Sequence, residues 1–546
     1  MNRFTKAAAI KKRIGSKTSV NTTNAVKDSA LSEAYISKIR ETSYLGKKGY
    51  TIYKEHLTES DAEFLKKDLF VKPIVQGPQY GAPSEDAAFP VYKENAKKLY
   101  IPRFYGIQRY GLPDESEIPG GDDIDVEFAK PLRDYQDHII DVYRKYVSKP
   151  ICSGSEHNGS GGILEVPCGR GKTVMALKII SVLKKKTLII VHKEFLMNQW
   201  IERAAEFVPG AKIGKIQGAT FDVEGKDIVI GMLQTLYDRA FPEDAFECFG
   251  LTIIDEVHRI GSEQFSKTLL RVITPYMLGI SATVDRKDGL TCVLHMFIGD
   301  KIYSEERKDD DPVCVRAIEY ISSDPEFNEV EYDFRGNTKF STMITKLCAF
   351  GPRSDFVVRI LGDLIAENKE AQIMVLCHNK SLLKYLFEAI NHRAFATTGY
   401  YIGGMKQTAL QETEEKQIVL ATYAMAAEAL DIKTLSTLVM VTPKTDIIQS
   451  VGRILRVKHE SPIVVDIVDK HESFQNQWRQ RRAFYKKCNY RIVSTDSVRY
   501  QGMTGITDGK LWTKVFEPKV SNTATLQDVD NVERKCLIKF DAAEFD

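Results

Sequence analysis

No stretch of this 546-residue sequence stays apolar for the roughly 18 to 20 residues that a membrane-crossing helix needs, which excludes a transmembrane segment. The nine cysteines, at 152, 168, 248, 292, 314, 348, 377, 488 and 536, form neither a Cys-x-x-Cys pair nor a Cys/His cluster. Metal-ligand spacing is therefore lacking, and the expectation is a chain without structural zinc in an intracellular, reducing compartment. An excess of one charge is lacking too, since 76 Lys and Arg face 74 Asp and Glu for a formal +2. That balance leaves the partner open, because a nucleic-acid-binding protein can confine its basic residues to one groove and offset them elsewhere. What is present, 43% hydrophobic and 27% charged residues, is an ordinary globular composition. The length is too great for one core and suggests about three domains.

The first 27 residues carry Arg3, Lys6, Lys11, Lys12, Arg13, Lys17 and Lys27 and no acid. They show no clear apolar stripe, so residues 1–43 read as a basic flexible arm, with an organelle-targeting peptide as the alternative. Residues 44–125 are rich in Tyr, Phe, Pro and Gly without a long helical period, which predicts a small strand-rich accessory domain. It closes on the acidic stretch from Pro113 to Glu127, which offers little apolar surface and reads as a linker.

From residue 126 the pattern alternates. Helices are expected over Asp134 to Val147, Lys172 to Lys185 and Glu194 to Phe207, and short apolar strands over Gly162 to Val166, Thr187 to Val191, Asp227 to Gly231 and Leu251 to Asp255. A charged, irregular stretch at 306–345 interrupts the alternation. It resumes over 346–495 with strands at Gln372 to Cys377, Gln417 to Thr422, Leu435 to Val441 and Ile463 to Val468. Brief, continuously apolar strands between helices mark parallel sheets covered on both faces. Two α/β domains in series follow, at 126–305 and 346–495, with a weakly patterned tail at 496–546.

The first of these domains carries Pro167-Cys168-Gly169-Arg170-Gly171-Lys172-Thr173 between a strand and a helix. Such a loop brings backbone N–H groups and the positive end of a helix dipole to one point, which suits a triphosphate. Lys172 is placed to reach the β- and γ-phosphates of ATP, and the Thr173 hydroxyl to ligate Mg²⁺. Val166 stands where the strict pattern has Gly. Further on, Asp255 and Glu256 end an apolar strand. In a parallel sheet that end lies beside the phosphate loop, so Asp255 can hold Mg²⁺ while Glu256 orients and deprotonates the attacking water. The second domain carries Gln449-Ser-Val-Gly-Arg453-Ile-Leu-Arg456. On one helix these residues fall at i, i+4 and i+7, a guanidinium array able to reach a γ-phosphate across a cleft.

Together these motifs resemble the superfamily 2 DNA helicases, in the XPB-like branch that includes the transcription helicases of large DNA viruses. The Pro-Cys-Gly form of the loop, with Cys168, is similar to that branch. The resemblance spans about 126 to 490 and implies two RecA-like parallel-sheet domains in tandem after the accessory domain. It implies that Gln136, in Leu132-Arg-Asp-Tyr-Gln136, hydrogen-bonds adenine, and that Asp431 lies near the nucleotide. His258 of the Asp255-Glu-Val-His258 box and Ser281-Ala282-Thr283 would couple nucleotide state to movement. Gln199, Thr235, Arg286 and Thr422 would contact nucleic acid, although Lys287 departs from the Arg-Glu-Asp of XPB-type enzymes. Gln477 to Lys487 is similar to the closing helix of the viral proteins; physically it is either a phosphate-contacting basic face or a solvated helix packed by its aromatics.

The function expected is thus an ATP- and Mg²⁺-dependent DNA helicase or translocase, moving 3′ to 5′ and serving viral transcription together with the transcription machinery, in a virion or a cytoplasmic viral factory. The alternatives are an RNA helicase, a duplex translocase that does not unwind, and a catalytically inactive nucleic-acid-binding scaffold.

Overall fold

A computed structural model describes residues 31–536, apart from 75–87, 153–154, 168, 260–262, 287, 306–311, 429–431, 433, 446, 456–458, 460, 504–505, 507–509 and 519–534. The basic residues of the first 27 positions, Cys168, Lys287, Asp431 and Arg456 lie outside the described residues. Among the described residues no helix is long and apolar enough to cross a membrane.

The first α/β domain is built on a nine-stranded sheet. Its centre runs, in spatial order, Ile228–Met232, Thr187–Val191, Leu251–Asp255, Tyr276–Ser281, Gly161–Glu165 and Asp300–Ser304, all parallel. Thr187–Val191 and Leu251–Asp255 are buried at every position. Their β-branched residues suit a pleated surface covered on both faces, and each fully buried Ile or Val contributes about 1.5–3 kcal/mol. Asp134–Val147, Lys172–Leu183 and Glu194–Phe207 are helices as the periodicity predicts.

The second sheet has eight strands, in the order Thr398–Tyr401, Ile418–Thr422, Gln372–Cys377, Leu435–Met440, Ile463–Asp469, Cys314–Tyr320, Arg491–Asp496 and Thr513–Phe516. All pair in parallel except the last. Two expectations differ here. The stretch read as an interdomain connection contains Cys314–Tyr320, an inner strand of this sheet. The stretch read as a tail supplies Thr513–Phe516 at its edge, anchored by buried Trp512. One long apolar strand in a charged context and one tryptophan in a polar segment gave weak periodic signals, and tertiary pairing overrode them. Phe195, on the helix Glu194–Phe207, packs against the cores of both α/β domains.

The accessory region holds a five-stranded sheet, as its composition suggests, but also the helices Glu59–Asp68 and Arg103–Tyr110. The end of the stretch read as a flexible arm differs too: Glu33–Thr42 is a helix whose buried Ile39 joins the accessory core. Arg103 fastens it to the first α/β domain: its buried guanidinium donates to the carbonyls of Thr274 and Pro275, both at 3.0 Å. The acidic stretch is not a loose linker. Ile118, Ile124 and Val126 are buried, and Asp122, Asp123 and Asp125 pair with Lys186, Lys185 and Lys184 at 3.3, 2.7 and 2.9 Å. Alternation of Ile and Val with carboxylates lets one face enter the core while the other meets a lysine run.

Candidate active site

Three neighbouring parallel strands deliver the site at their C-terminal ends: Gly161–Glu165 leads into the phosphate loop, Tyr276–Ser281 ends on Ser281, and Leu251–Asp255 ends on the acidic pair. Loop ends at that edge of a parallel sheet are where ligands of such folds bind. In the loop, Gly169 and Gly171 have φ of 82° and 79°, a left-handed backbone that a side chain would strain. A Cβ at Gly171 would also sit 2.4 Å from Gln136 Nε2. Lys172 and Thr173 open the helix Lys172–Leu183, whose first N–H groups and dipole favour an anion.

Gln136 is buried beside this loop. Its Oε1 accepts from Arg133 N and its Nε2 donates to Arg170 O, both at 3.0 Å, so the amide ties the helix start to the phosphate loop. Arg170 lies over the Tyr135 ring at 3.8 Å and pairs with Glu305, just beyond the strand Asp300–Ser304. Sequence patterning did not single out Tyr135 or Glu305; nothing local in Glu305 signals a partner 135 positions away.

Asp255 and Glu256 face different partners. The buried indole of Trp200 donates to Asp255 Oδ2, and Glu256 N donates to Asp255 Oδ1, each at 2.9 Å. Glu256 adopts φ 49°, a left-handed conformation that costs about 1–3 kcal/mol in a non-glycine residue and is characteristic of functional sites. Its carboxylate lies 3.4 Å from Lys172 Nζ and 3.4 Å from His258 Nδ1. Burial pushes the Asp255 carboxyl up to about 6, and the adjacent Glu256 charge adds to the rise. Burial acts on Glu256 as well, but Lys172, His258 and Arg453 outweigh it and hold that carboxyl below its ordinary value. Two neighbouring carboxyls with divergent proton affinities can divide metal-holding and water-activating work.

His258 Nδ1 meets Ser281 Oγ at 2.8 Å, and Ser281 Oγ donates to Thr283 O at 2.6 Å, so the acidic box and Ser281-Ala282-Thr283 are joined by side chains. Arg453 ends the helix Ile448–Arg453 of the second domain, is buried, and is among the charges that hold the Glu256 carboxyl down. The helix stops at Arg453, shorter than an i, i+7 array requires; Gln449 is on it, and Arg456 lies outside the described residues.

The family described as Type III restriction enzyme, res subunit, matches residues 129–286, and the Helicase conserved C-terminal domain matches 356–458. A protein of Acanthamoeba polyphaga mimivirus, bearing the name of an ATP-dependent RNA helicase, is 35% identical over 81% of this chain and 85% of its own. The chain belongs to the superfamily 2 helicases. An African swine fever virus protein with the same form of name is 27% identical to this helicase, over 73% of this chain and 81% of its own. The DNA 3′-5′ translocase XPB2 of Sulfurisphaera tokodaii is 24% identical, over 70% and 92%. These relatives put the helicase in the XPB-like viral branch. The crystal structure of T4 UvsW covers 80% of this chain and 96% of its own at 18% identity and a TM-score of 0.31, too loose a likeness to carry an argument.

The residues expected to contact nucleic acid sit on separate elements, and one of them, Arg286, reaches the acidic box. Gln199 is on the helix Glu194–Phe207, half-buried. Thr235, on Leu233–Asp238, accepts from Gly218 N at 2.9 Å. Thr422 ends Ile418–Thr422. Arg286 is engaged within its own domain: Nε donates to Asp288 Oδ1 at 2.9 Å, Nη2 pairs with Asp288, and Nη1 donates to His258 O. In the closing helix, Glu472–Lys487, Arg481 is buried and forks onto Asp466 at 2.7 and 2.9 Å, with Phe474, Trp478 and Tyr485 packed inward. On that face the helix is a packing element.

Proposed function

We propose that this helicase is an ATP-driven, 3′-to-5′ DNA motor of viral transcription, with residues 126–305 binding ATP and the domain built on the second sheet, from Cys314–Tyr320 to Thr513–Phe516, forming the second motor domain. The observation that supports it most is the position of Glu256: it faces Lys172 within its own domain and feels Arg453 of the other. An ATP whose phosphates lie on the loop would therefore be enclosed by charges from two domains, and hydrolysis would depend on their closure.

In this reading Pro167 to Thr173 cradle the phosphates, with Lys172 on the β- and γ-phosphates. Glu256, kept ionised by its cationic neighbours, orients the attacking water and takes its proton. Arg453, with Gln449 and Arg456 of the same segment, offsets charge developing on the transferred phosphoryl group. Gln136 with Tyr135 borders the nucleobase, and Asp431 senses nucleotide from the second domain. His258 and Ser281 to Thr283 relay the state of the site to residues that grip the strand, among them Gln199, Thr235, Arg286 and Thr422.

Thr173 and Asp255 suit Mg²⁺. Among the described residues no group of three His, Cys, Asp or Glu could enclose a metal. Mg²⁺ bound with ATP needs only one or two protein oxygens besides phosphate and water, and Asp255 presents a carboxylate held by two fixed donors. When bound, the ion would supply Lewis-acid charge at the phosphates.

DNA is favoured over RNA by the XPB2 relative, whose printed name is that of a DNA translocase, while the mimivirus relative's name favours RNA. Strand displacement on 3′- and 5′-tailed duplexes of both kinds decides: the proposal requires ATP-dependent displacement of 3′-tailed DNA, and activity confined to RNA or to 5′ tails contradicts it.

A further inference from the structure

Between the accessory sheet and the first α/β domain lies a cleft of about 370 Å³, within the range of small-ligand sites. Its walls come from both units. Lys48, Lys93 and Tyr100 belong to the accessory domain, and Phe241, Phe246 and Arg271 to the helicase domain. Two acids, Glu117 and Glu243, also line it. Glu243 is 3.3 Å from Lys48, and Glu247 pairs with Lys47. Lys93 and Arg271 take no part in this balance: among the described residues neither forms an ion pair with a carboxylate. Arg271 Nη1 is held by the carbonyls of Leu236, Tyr237 and Arg239. Burial, Arg271, Lys48 and Lys267 all disfavour the charged form of Lys93 and lower its proton affinity. Lys48 and Lys267 have carboxylates of their own, Glu243 and Glu263; among the described residues Lys93 and Arg271 do not, and a bound anion would favour the charged form of both.

A chain of hydrogen bonds joins the cleft wall to the segment that bears Thr235. Arg271 holds Arg239 O, Arg239 Nη1 holds Gly218 O and Ala219 O at 3.4 and 3.1 Å, and Gly218 N donates to Thr235 Oγ1. Aromatic faces beside basic groups are what a single strand uses for stacking and phosphate contact, and the half-buried Tyr100 and Phe241 supply the faces.

We propose that this cleft grips the phosphodiester backbone of the nucleic acid on which the helicase moves, with Lys93 and Arg271 contacting phosphate from the two sides of the seam. The inference rests on the motor reading and adds to it a contact made by the accessory domain. Each phosphate neutralised releases condensed counterions, so the contact has a salt signature.

Anisotropy titrations of the full chain with fluorescent tailed DNA and RNA duplexes, at several salt concentrations, test it. Lys93→Ala is expected to weaken binding about 3- to 10-fold and to reduce the slope of log affinity against log salt by about one. Lys93→Glu should weaken it further, and Lys93→Arg should restore it. Thermal melting checks that the variants fold; should Lys93→Glu melt early, Lys48→Glu makes the same test from the cleft's rim. Unchanged affinity and slope in folded variants overturn the proposal. So does retained nucleic-acid affinity with lost competition by inorganic pyrophosphate, which would make this a free-anion site. Failure of the motor reading shows separately, as wild-type ATPase activity that nucleic acid does not stimulate.

Discussion

Trp200 donates its indole N–H to Asp255 at 2.9 Å, from a helix one strand away in the sheet. The bond fixes one oxygen of the carboxylate proposed to hold Mg²⁺, while Glu256 N fixes the other. Trp200→Phe keeps most of the apolar volume and removes the donor. Steady-state ATPase measured against Mg²⁺ concentration should show a raised Mg²⁺ requirement and turnover lower by about tenfold, the scale of losing an outer partner of a metal ligand. Wild-type Mg²⁺ dependence would deny the bond any role in positioning.

The acidic pair makes stability depend on pH. Asp255 is raised, so its native state holds the proton more tightly than the unfolded chain does. Its contribution is fully present below the unfolded value near 3.8 and is lost as pH rises through about 6. Asp255→Asn removes that loss. The nucleotide-free variant should melt about 2–4 °C above wild type at pH 7.5, with the gap narrowing toward pH 4.5, while ATPase activity disappears. A gap that widens on acidification contradicts the assignment.

Arg453 acts on Glu256 from the second domain. If it stabilises charge developing in phosphoryl transfer, Arg453→Ala should cut turnover about 10³-fold or more while ATP still binds, as read by equilibrium titration with a fluorescent ATP analogue. Loss of nucleotide binding with turnover per bound ATP intact would make it a ground-state contact only.

The closing helix is basic in sequence, yet Arg481 is buried on Asp466. Arg481→Ala leaves a buried carboxylate unpaired and should cost about 3–5 kcal/mol of stability in denaturant unfolding. Exposed Arg479→Ala should change stability little. Equal effects of the two would mean that Arg481 is not structural.

Where the chain's own periodicity carries the information, structure was legible. The strands Thr187–Val191 and Leu251–Asp255, and the helices Asp134–Val147 and Glu194–Phe207, have the bounds their apolar patterns indicate. Lys172 and Glu256 meet because a parallel sheet gathers the C-terminal ends of its strands on one edge, with only Tyr276–Ser281 between the two strands that lead into them. Trp200 on Asp255, Arg170 on Glu305 and Lys93 beside Arg271 are pairings of residues far apart in sequence, and composition holds no trace of them. The acidic stretch after Pro113 was obscured for another reason: its few apolar side chains alternate with carboxylates, so average polarity hides a strand-like face.

The central claim is a nucleotide switch coupled to nucleic acid, and ATP turnover by the full chain with and without DNA or RNA tests it most directly. The account predicts turnover that rises on adding at least one nucleic acid and vanishes in Lys172→Ala. Turnover indifferent to both nucleic acids, or surviving that substitution, would contradict it.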